Sequence, residues 1–270
     1  MPGPRELGFL AMGLFTRVFC FVSEGQPYVL RIAKAPQHVH RGAIAYGYLA
    51  GHCPIPAVIK QGTDKQSPEG SIVYWSIQQR CAGHKLTDTF NYGEPFDVPD
   101  FIQDLQGLHQ APVPEKHQPN WVNFLAQAWG YDTAEHRGEL LDVAFFEALR
   151  AEMHTLAADS PSTHWIHGDI KPDNIMIDGG KVSGFIDWET LNTGDFLYDV
   201  ATFLFYCPAK KQSTMKNLLL SAYTAAGFKM QNLENRLRCY TIHVGLRALW
   251  ENSVRYQPER YERAVSLLRP

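Results

Sequence analysis

His164 to Asp199 reads HWIHGDIKPDNIMIDGGKVSGFIDWETLNTGDFLYD, and this stretch decides how the chain folds. Its first part is His167-Gly168-Asp169-Ile170-Lys171, with Asn174 five residues beyond the aspartate. An apolar run, Ile175 to Ile177, follows and ends in Asp178-Gly179-Gly180. A second run, Val182 to Ile186, leads to Asp187. Two short apolar runs around a Gly-Gly turn predict a tight β-hairpin. Such a hairpin brings Asn174, before its first strand, beside Asp187, after its second. Alone, each piece is a turn residue or a helix cap. Together they match the spacing H-x-D-x-x-x-x-N followed by a distal Asp, the equipment of phosphoryl transfer. Asp169 is the candidate for accepting a proton from an attacking hydroxyl. Asn174 and Asp187 are the candidates for holding magnesium, which takes few protein oxygens and draws the rest from phosphate.

At these residues the chain resembles the aminoglycoside phosphotransferase and choline kinase family, a branch of the protein-kinase-like fold. His167-Gly168-Asp169-Ile170 with Asn174 is similar to that family's H-G-D-[LI]-x-x-x-N loop, and Ile186-Asp187-Trp188 to its I-D-W. Gly194-Asp195 and Tyr198-Asp199-Val200-Ala201 are similar to its G-D-P-x-x-D-[LV]-A, with Phe196 where Pro is usual. Tyr28-Val29-Leu30-Arg31-Ile32 resembles the strand carrying the phosphate-binding cation. Arg80-Cys81-Ala82-Gly83 resembles the hinge that meets adenine through its backbone. Order and phrasing are nearest to hygromycin B phosphotransferases, over roughly residues 17 to 206.

The resemblance implies an α+β, two-lobed fold. A small β-rich nucleotide-binding lobe would cover residues 1–82. A larger, mainly helical lobe with the catalytic loop and substrate pocket would cover 83–270, with the ligand site in the cleft between lobes. It implies ATP or GTP with Mg2+ as cofactors. Arg31, Gly13 of the loop Gly13-Leu14-Phe15-Thr16-Arg17, Arg80 and Cys81 would bind the nucleotide. His167 and Asp199 would brace the catalytic loop, and Asp195 has a similar structural reading. Lys171 either touches the transferring phosphate or is a plain surface lysine. A cationic aminoglycoside would be met by carboxylates and aromatics. The candidates are Glu189, Tyr206, Trp250 and Glu251, the last two read alternatively as core and as a solvated helix face.

Three departures from the family pattern carry expectations of their own. Arg31 stands where Lys is frequent; it keeps the charge but differs in reach. The helix expected next, Arg41 to Gly47, offers no acid to pair with that cation, so residue 31 is expected to be positioned by phosphate alone. Few residues precede Gly13, so the first strand is expected to be short or missing. The rival readings are a kinase for another small metabolite (an amino alcohol, sugar or macrolide) and a nucleotide-binding pseudokinase. A protein kinase is disfavoured, because Gly168 replaces the Arg of H-R-D and neither D-F-G nor A-P-E is present.

The remainder agrees with this outline. Of 270 residues 45% are hydrophobic, enough for a packed core, and the net charge of −3 comes with no basic stripe for nucleic acid. The five cysteines are dispersed without C-x-x-C spacing, which suits reduced thiols in the cytoplasm. The apolar patch from Leu7 to Phe15 is too short to span a membrane. A monomer or homodimer is expected. Strands are predicted over 18–23, 28–33, 57–62 and 71–79, with an exposed loop at 63–70 and a helix over about 38–52. Helices are further predicted around Phe101, Leu105 and Leu108, and over 200–206, 215–228, 233–254 and up to about 268, with a break at Arg255 to Pro258.

Overall fold

The structure is a computed structural model that describes residues 7–13, 16–64, 72–117, 121–126, 138–157 and 163–269. Leu14 and Phe15 of the expected nucleotide loop, and residues 65–70 of the expected exposed loop, lie outside the described residues. The chain forms two compact units. One comprises Met1–Ala111 with Pro172–Leu191; the other comprises Pro112–Lys171 with Asn192–Pro270.

The first unit is built on a five-stranded antiparallel sheet: β1 (Gly8–Met12), β2 (Thr16–Ser23), β3 (Gln26–Ala33), β4 (Val58–Asp64) and β5 (Val73–Gln79), in the order β1-β2-β3-β5-β4. Glu24 and Gly25, with φ of 52° and 77°, make the two-residue turn between β2 and β3 that a right-twisted hairpin demands. The expected first strand exists and is short: β1 has five residues, all exposed, with Phe9 edge-on to Phe19 of β2. Helix α1 (Gln37–Leu49) packs on the sheet through buried Val39, Ala45 and Leu49.

A second sheet of the same unit joins β6 (His84–Lys85) to the hairpin of β8 (Ile175–Asp178) and β9 (Lys181–Phe185), in the order β6-β8-β9. Gly179 and Gly180 adopt φ of 57° and 82°, so the turn forms as the sequence pattern predicts. Helices α2 (Leu86–Tyr92) and α3 (Val98–Gln110) flank this sheet, with Asp97 capping α3 through Asp100 N. The hairpin therefore belongs to the β-rich unit, although it sits between helical segments in sequence.

The second unit is helical: α4 (Trp121–Ala126), α5 (Val143–Leu156), α6 (Leu197–Tyr206), α7 (Ala209–Ala225), α8 (Leu233–Val254) and α9 (Pro258–Leu268). The 22-residue α8 is its centre, packed against α5, α6 and α9, with buried residues on several faces, among them Leu237, Tyr240, Val244 and Leu249. Arg255 ends it and Pro258 opens α9, where the sequence predicts the break. The short pair β7 (His164–Ile166) and β10 (Asn192–Gly194) carries the chain into and out of the unit. α7 begins at Ala209, six residues before the first apolar position used to predict it, because its opening turns are polar and carry no periodic signal. The α+β, kinase-like architecture holds.

Candidate active site

In the first unit the hairpin does what its spacing requires. Ile175 pairs with Phe185, and Ile186 N donates to Asn174 O at 2.9 Å, which ties the two ends together. Beyond β9 the chain turns sharply. Asp187 takes the left-handed conformation (φ 68°, ψ 58°), which Asp tolerates better than most residues. A short 3-10 turn, Trp188–Thr190, follows and is pinned by the buried Trp188 ring, whose Nε1 donates to Phe185 O at 2.8 Å.

A cavity of about 440 Å³ opens beside this turn, and its wall gathers Gly13, Arg31, Arg80, Cys81, Asn174 and Asp187. All the residues expected to meet nucleotide or metal therefore line one space. Its remaining wall includes Leu10, Val18, Val29, Met176 and Ile186, an apolar lining suited to a flat ring. Burial pushes the Cys81 thiol up to about 11, so it faces the cavity as a neutral group.

Arg31 is held on this wall by two carboxylates. Its Nη2 donates to Asp187 Oδ1 at 2.8 Å and to Glu189 Oε1 at 2.5 Å. Burial pulls the guanidinium down, but Asp187 and Glu189 outweigh it and the net shift is upward. The expectation that residue 31 is positioned by phosphate alone is corrected. α1 carries no acid, and the acid arrives instead from the turn after Asp187. α1 supplies groups that hold that acid: His38 Nδ1 lies 3.1 Å from Glu189 Oε2, and Arg41 Nη1 donates to Glu189 O at 2.7 Å. Glu189, expected among the substrate carboxylates, has both oxygens engaged by Arg31 and His38.

Two observations test whether cofactors fit here. Arg31 Nε is buried without a hydrogen-bond partner, a donor left for an anionic oxygen on a cavity-lining residue. Among the described residues no group of three or more His, Cys, Asp or Glu forms a metal cage. Asn174 and Asp187 are a two-oxygen set on the cavity wall, which suits a hard cation completed by phosphate and water.

In the second unit Asp169 is nearly buried and clamped by two cations. Oδ2 accepts from Lys171 Nζ at 2.8 Å and Oδ1 from Arg247 Nη1 at 3.2 Å. Asp199 braces the loop that presents it: its oxygens accept from His167 N at 2.7 Å and Gly168 N at 2.8 Å. Gly168 has φ of 81°, and His167 Nδ1 accepts from Asp169 N at 3.3 Å. Asp195 lies apart from this clamp. It takes a bidentate contact from Arg236 at 2.6 and 2.7 Å and a third bond from Tyr240 Oη at 2.7 Å, all in the core.

Tyr206 lies under Lys171, whose Nζ is 5.8 Å from the ring centre. Burial, then the negative charge of Asp169, pushes its hydroxyl upward. Trp250 and Glu251 are half-buried on α8, and Glu251 Oε1 accepts from Arg247 Nε at 2.8 Å. Arg247 escaped the sequence reading. Its spacing from Glu251 is that of a routine i,i+4 surface pair, and nothing local points to Asp169, 78 residues away.

A β-rich unit with a cation-marked cavity and a helical unit with a braced, clamped carboxylate define the protein-kinase-like class. The chain belongs to the phosphotransferase enzyme family, whose model matches residues 8–234. It is 23% identical to the hygromycin-B 4-O-kinase of Escherichia coli, over 92% of this chain and 75% of that protein. Among solved structures it resembles a thermostable mutant of aminoglycoside phosphotransferase APH(4)-Ia, crystallised as a ternary complex with AMP-PNP and hygromycin B. That match has a TM-score of 0.75 and 21% identity, over 98% of this chain and 94% of the other. It also resembles amicoumacin kinase hAmiN in complex with AMP-PNP, Ca2+ and Ami, with a TM-score of 0.67 and 13% identity, over 98% and 87% of the two chains.

Proposed function

We propose that the chain is an ATP- or GTP-dependent O-phosphotransferase acting on a hydroxyl of a small molecule, with an aminoglycoside antibiotic as the acceptor class. The observation that supports it most is the cavity wall on which Arg31, Asn174 and Asp187 converge. Asn174 and Asp187 would hold a magnesium ion, which supplies charge neutralisation on the phosphates. Arg31 steadies the phosphates through its unpartnered Nε, and the backbone around Arg80 and Cys81 receives the base. Asp169 accepts the acceptor hydroxyl's proton as the new O–P bond forms and the bond to the leaving phosphate oxygen breaks. Lys171 and Arg247 keep its carboxylate oriented. His167, Asp199 and Asp195 support the loop and its surroundings. Tyr206 and Trp250 offer faces for sugar rings.

One observation favours a second reading, an acceptor less cationic than an aminoglycoside. Glu189 and Glu251, the carboxylates expected to receive ammonium groups, are both engaged by arginines. A panel of aminoglycosides, macrolides and amino alcohols with ATP and GTP separates the two readings. In the same assay Asp169→Asn lowers turnover by about 10²- to 10⁴-fold while ADP affinity stays within about twofold, inside ordinary surface-substitution scatter. Undiminished turnover of that variant would sink the proposal.

A further inference from the structure

The charge network around Arg31 contains an asymmetry that the phosphotransferase reading does not use. The guanidinium bridges two carboxylates two residues apart on one turn, and only one of them, Asp187, has a place in the metal site proposed above. Glu189 is built to stay. Its carboxyl is held from a second side by His38 Nδ1 at 3.1 Å, and its backbone carbonyl by Arg41 Nη1 at 2.7 Å. Its side chain is 18% exposed, against 42% for Asp187. A divalent cation on Asp187 neutralises that carboxylate and repels the guanidinium beside it, which weakens one of the two holds on Arg31. The Glu189 hold survives, because both of its anchors come from α1.

We infer that Glu189 is the positioning residue for Arg31: it keeps the guanidinium on the cavity wall when Asp187 is shared with a divalent cation. This rests on the nucleotide reading of the cavity and extends it. The acid that pairs with the phosphate-binding cation is carried by the metal turn, and α1 carries the groups that fix that acid. Nucleotide grip and metal binding are then coupled through one short segment, Asp187 to Glu189.

Calorimetric titration of ADP into wild type and Glu189→Gln, once with magnesium chloride and once with EDTA, tests this without any acceptor. Glu189→Gln keeps the shape and removes the charge. Its ADP dissociation constant should rise by about tenfold or more in magnesium, the loss expected of a charge-assisted hydrogen bond. In EDTA, where Asp187 still holds Arg31, it should rise by less than about twofold, a change within ordinary substitution scatter. An equal loss in both conditions overturns the inference, because it marks general damage to the cavity. So does no loss in either, which frees Glu189 from any part in holding Arg31. If Glu189→Gln does not fold, His38→Ala answers the same question. A loss restricted to magnesium supports the inference and an equal loss overturns it. Wild-type protein that binds no ADP in either condition overturns the nucleotide reading itself, and this inference with it.

Discussion

Arg247 shows how much chemistry one unremarked side chain can carry. Its Nε is anchored on Glu251 and its Nη1 meets Asp169 Oδ1, so the carboxylate read as proton acceptor is fixed from both sides, by Lys171 and by Arg247. Burial pulls the Arg247 guanidinium down, yet Asp169 and Glu251 more than offset it, and the group stays charged. Replacing it with methionine removes one charge-assisted hydrogen bond, about 1.5–3 kcal/mol, from a group that must be oriented in the transition state. Turnover of Arg247→Met should therefore fall by about 10- to 100-fold. Arg247→Lys should recover part of it, and the KM for ATP should stay within about twofold, inside ordinary substitution scatter. Steady-state kinetics decides, and an unchanged kcat in Arg247→Met would show that Asp169 is oriented without it. Asp169, Asn174 and Asp187 could be singled out as candidates from sequence because the pattern that suggests their proposed roles lies in short, fixed spacings. Arg247 and the real partner of Arg31 could not, since the bonds that define them span 78 and 158 residues.

At the scale of elements, the cavity depends on how closely the segment after β5 approaches the hairpin. Gly83 makes that approach possible. It has φ of 79°, and a Cβ there would fall 1.8 Å from Ile177 O and 2.6 Å from its carbonyl carbon, both backbone atoms that cannot rotate away. β6 pairs His84 with Ile177 immediately afterwards, so the collision would reach the sheet and the wall bearing Arg80 and Cys81. Gly83→Ala adds left-handed strain of about 1 kcal/mol to a backbone clash. The sum is about 2–4 kcal/mol, a fall in Tm of about 5–15 °C by thermal denaturation. An unchanged Tm would mean that the segment shifts freely. The strands with a clear apolar pattern (β2, β3, the β8–β9 hairpin) follow it, and α8 keeps its expected bounds although its buried residues fall on several faces. β6 is not legible this way, because two residues carry no periodicity and their partners in β8, Ile177 for His84 and Met176 for Lys85, lie far downstream.

At the scale of the whole molecule, the two compact units divide the proposed labour, and the chain crosses between them at Ala111/Pro112, Lys171/Pro172 and Leu191/Asn192. The return into the β-rich unit between the last two crossings is the feature least visible in sequence. Pro172 to Leu191 lies between helical segments, and only its long-range hydrogen bonds, such as Phe185 N to Pro54 O at 2.8 Å, assign it to the β-rich unit. The 440 Å³ cavity is lined entirely by residues of that unit, whereas Asp169, Lys171 and Arg247 belong to the other. Nucleotide binding should therefore be separable from the acceptor side by substitution. A ligand that binds only the folded protein, present at about 100 times its Kd, stabilises by about 2.7 kcal/mol. For a protein of this size that is a rise in Tm of about 5–10 °C. Asp169→Asn and Arg247→Met should keep the full rise with ADP and magnesium. Arg31→Met, which removes a half-buried cation of the cavity wall and its unpartnered Nε, should lose most of it. Thermal shift measured on the three variants side by side checks the division. If Asp169→Asn lost the stabilisation as completely as Arg31→Met, the nucleotide would depend on both units and the division of labour would be wrong.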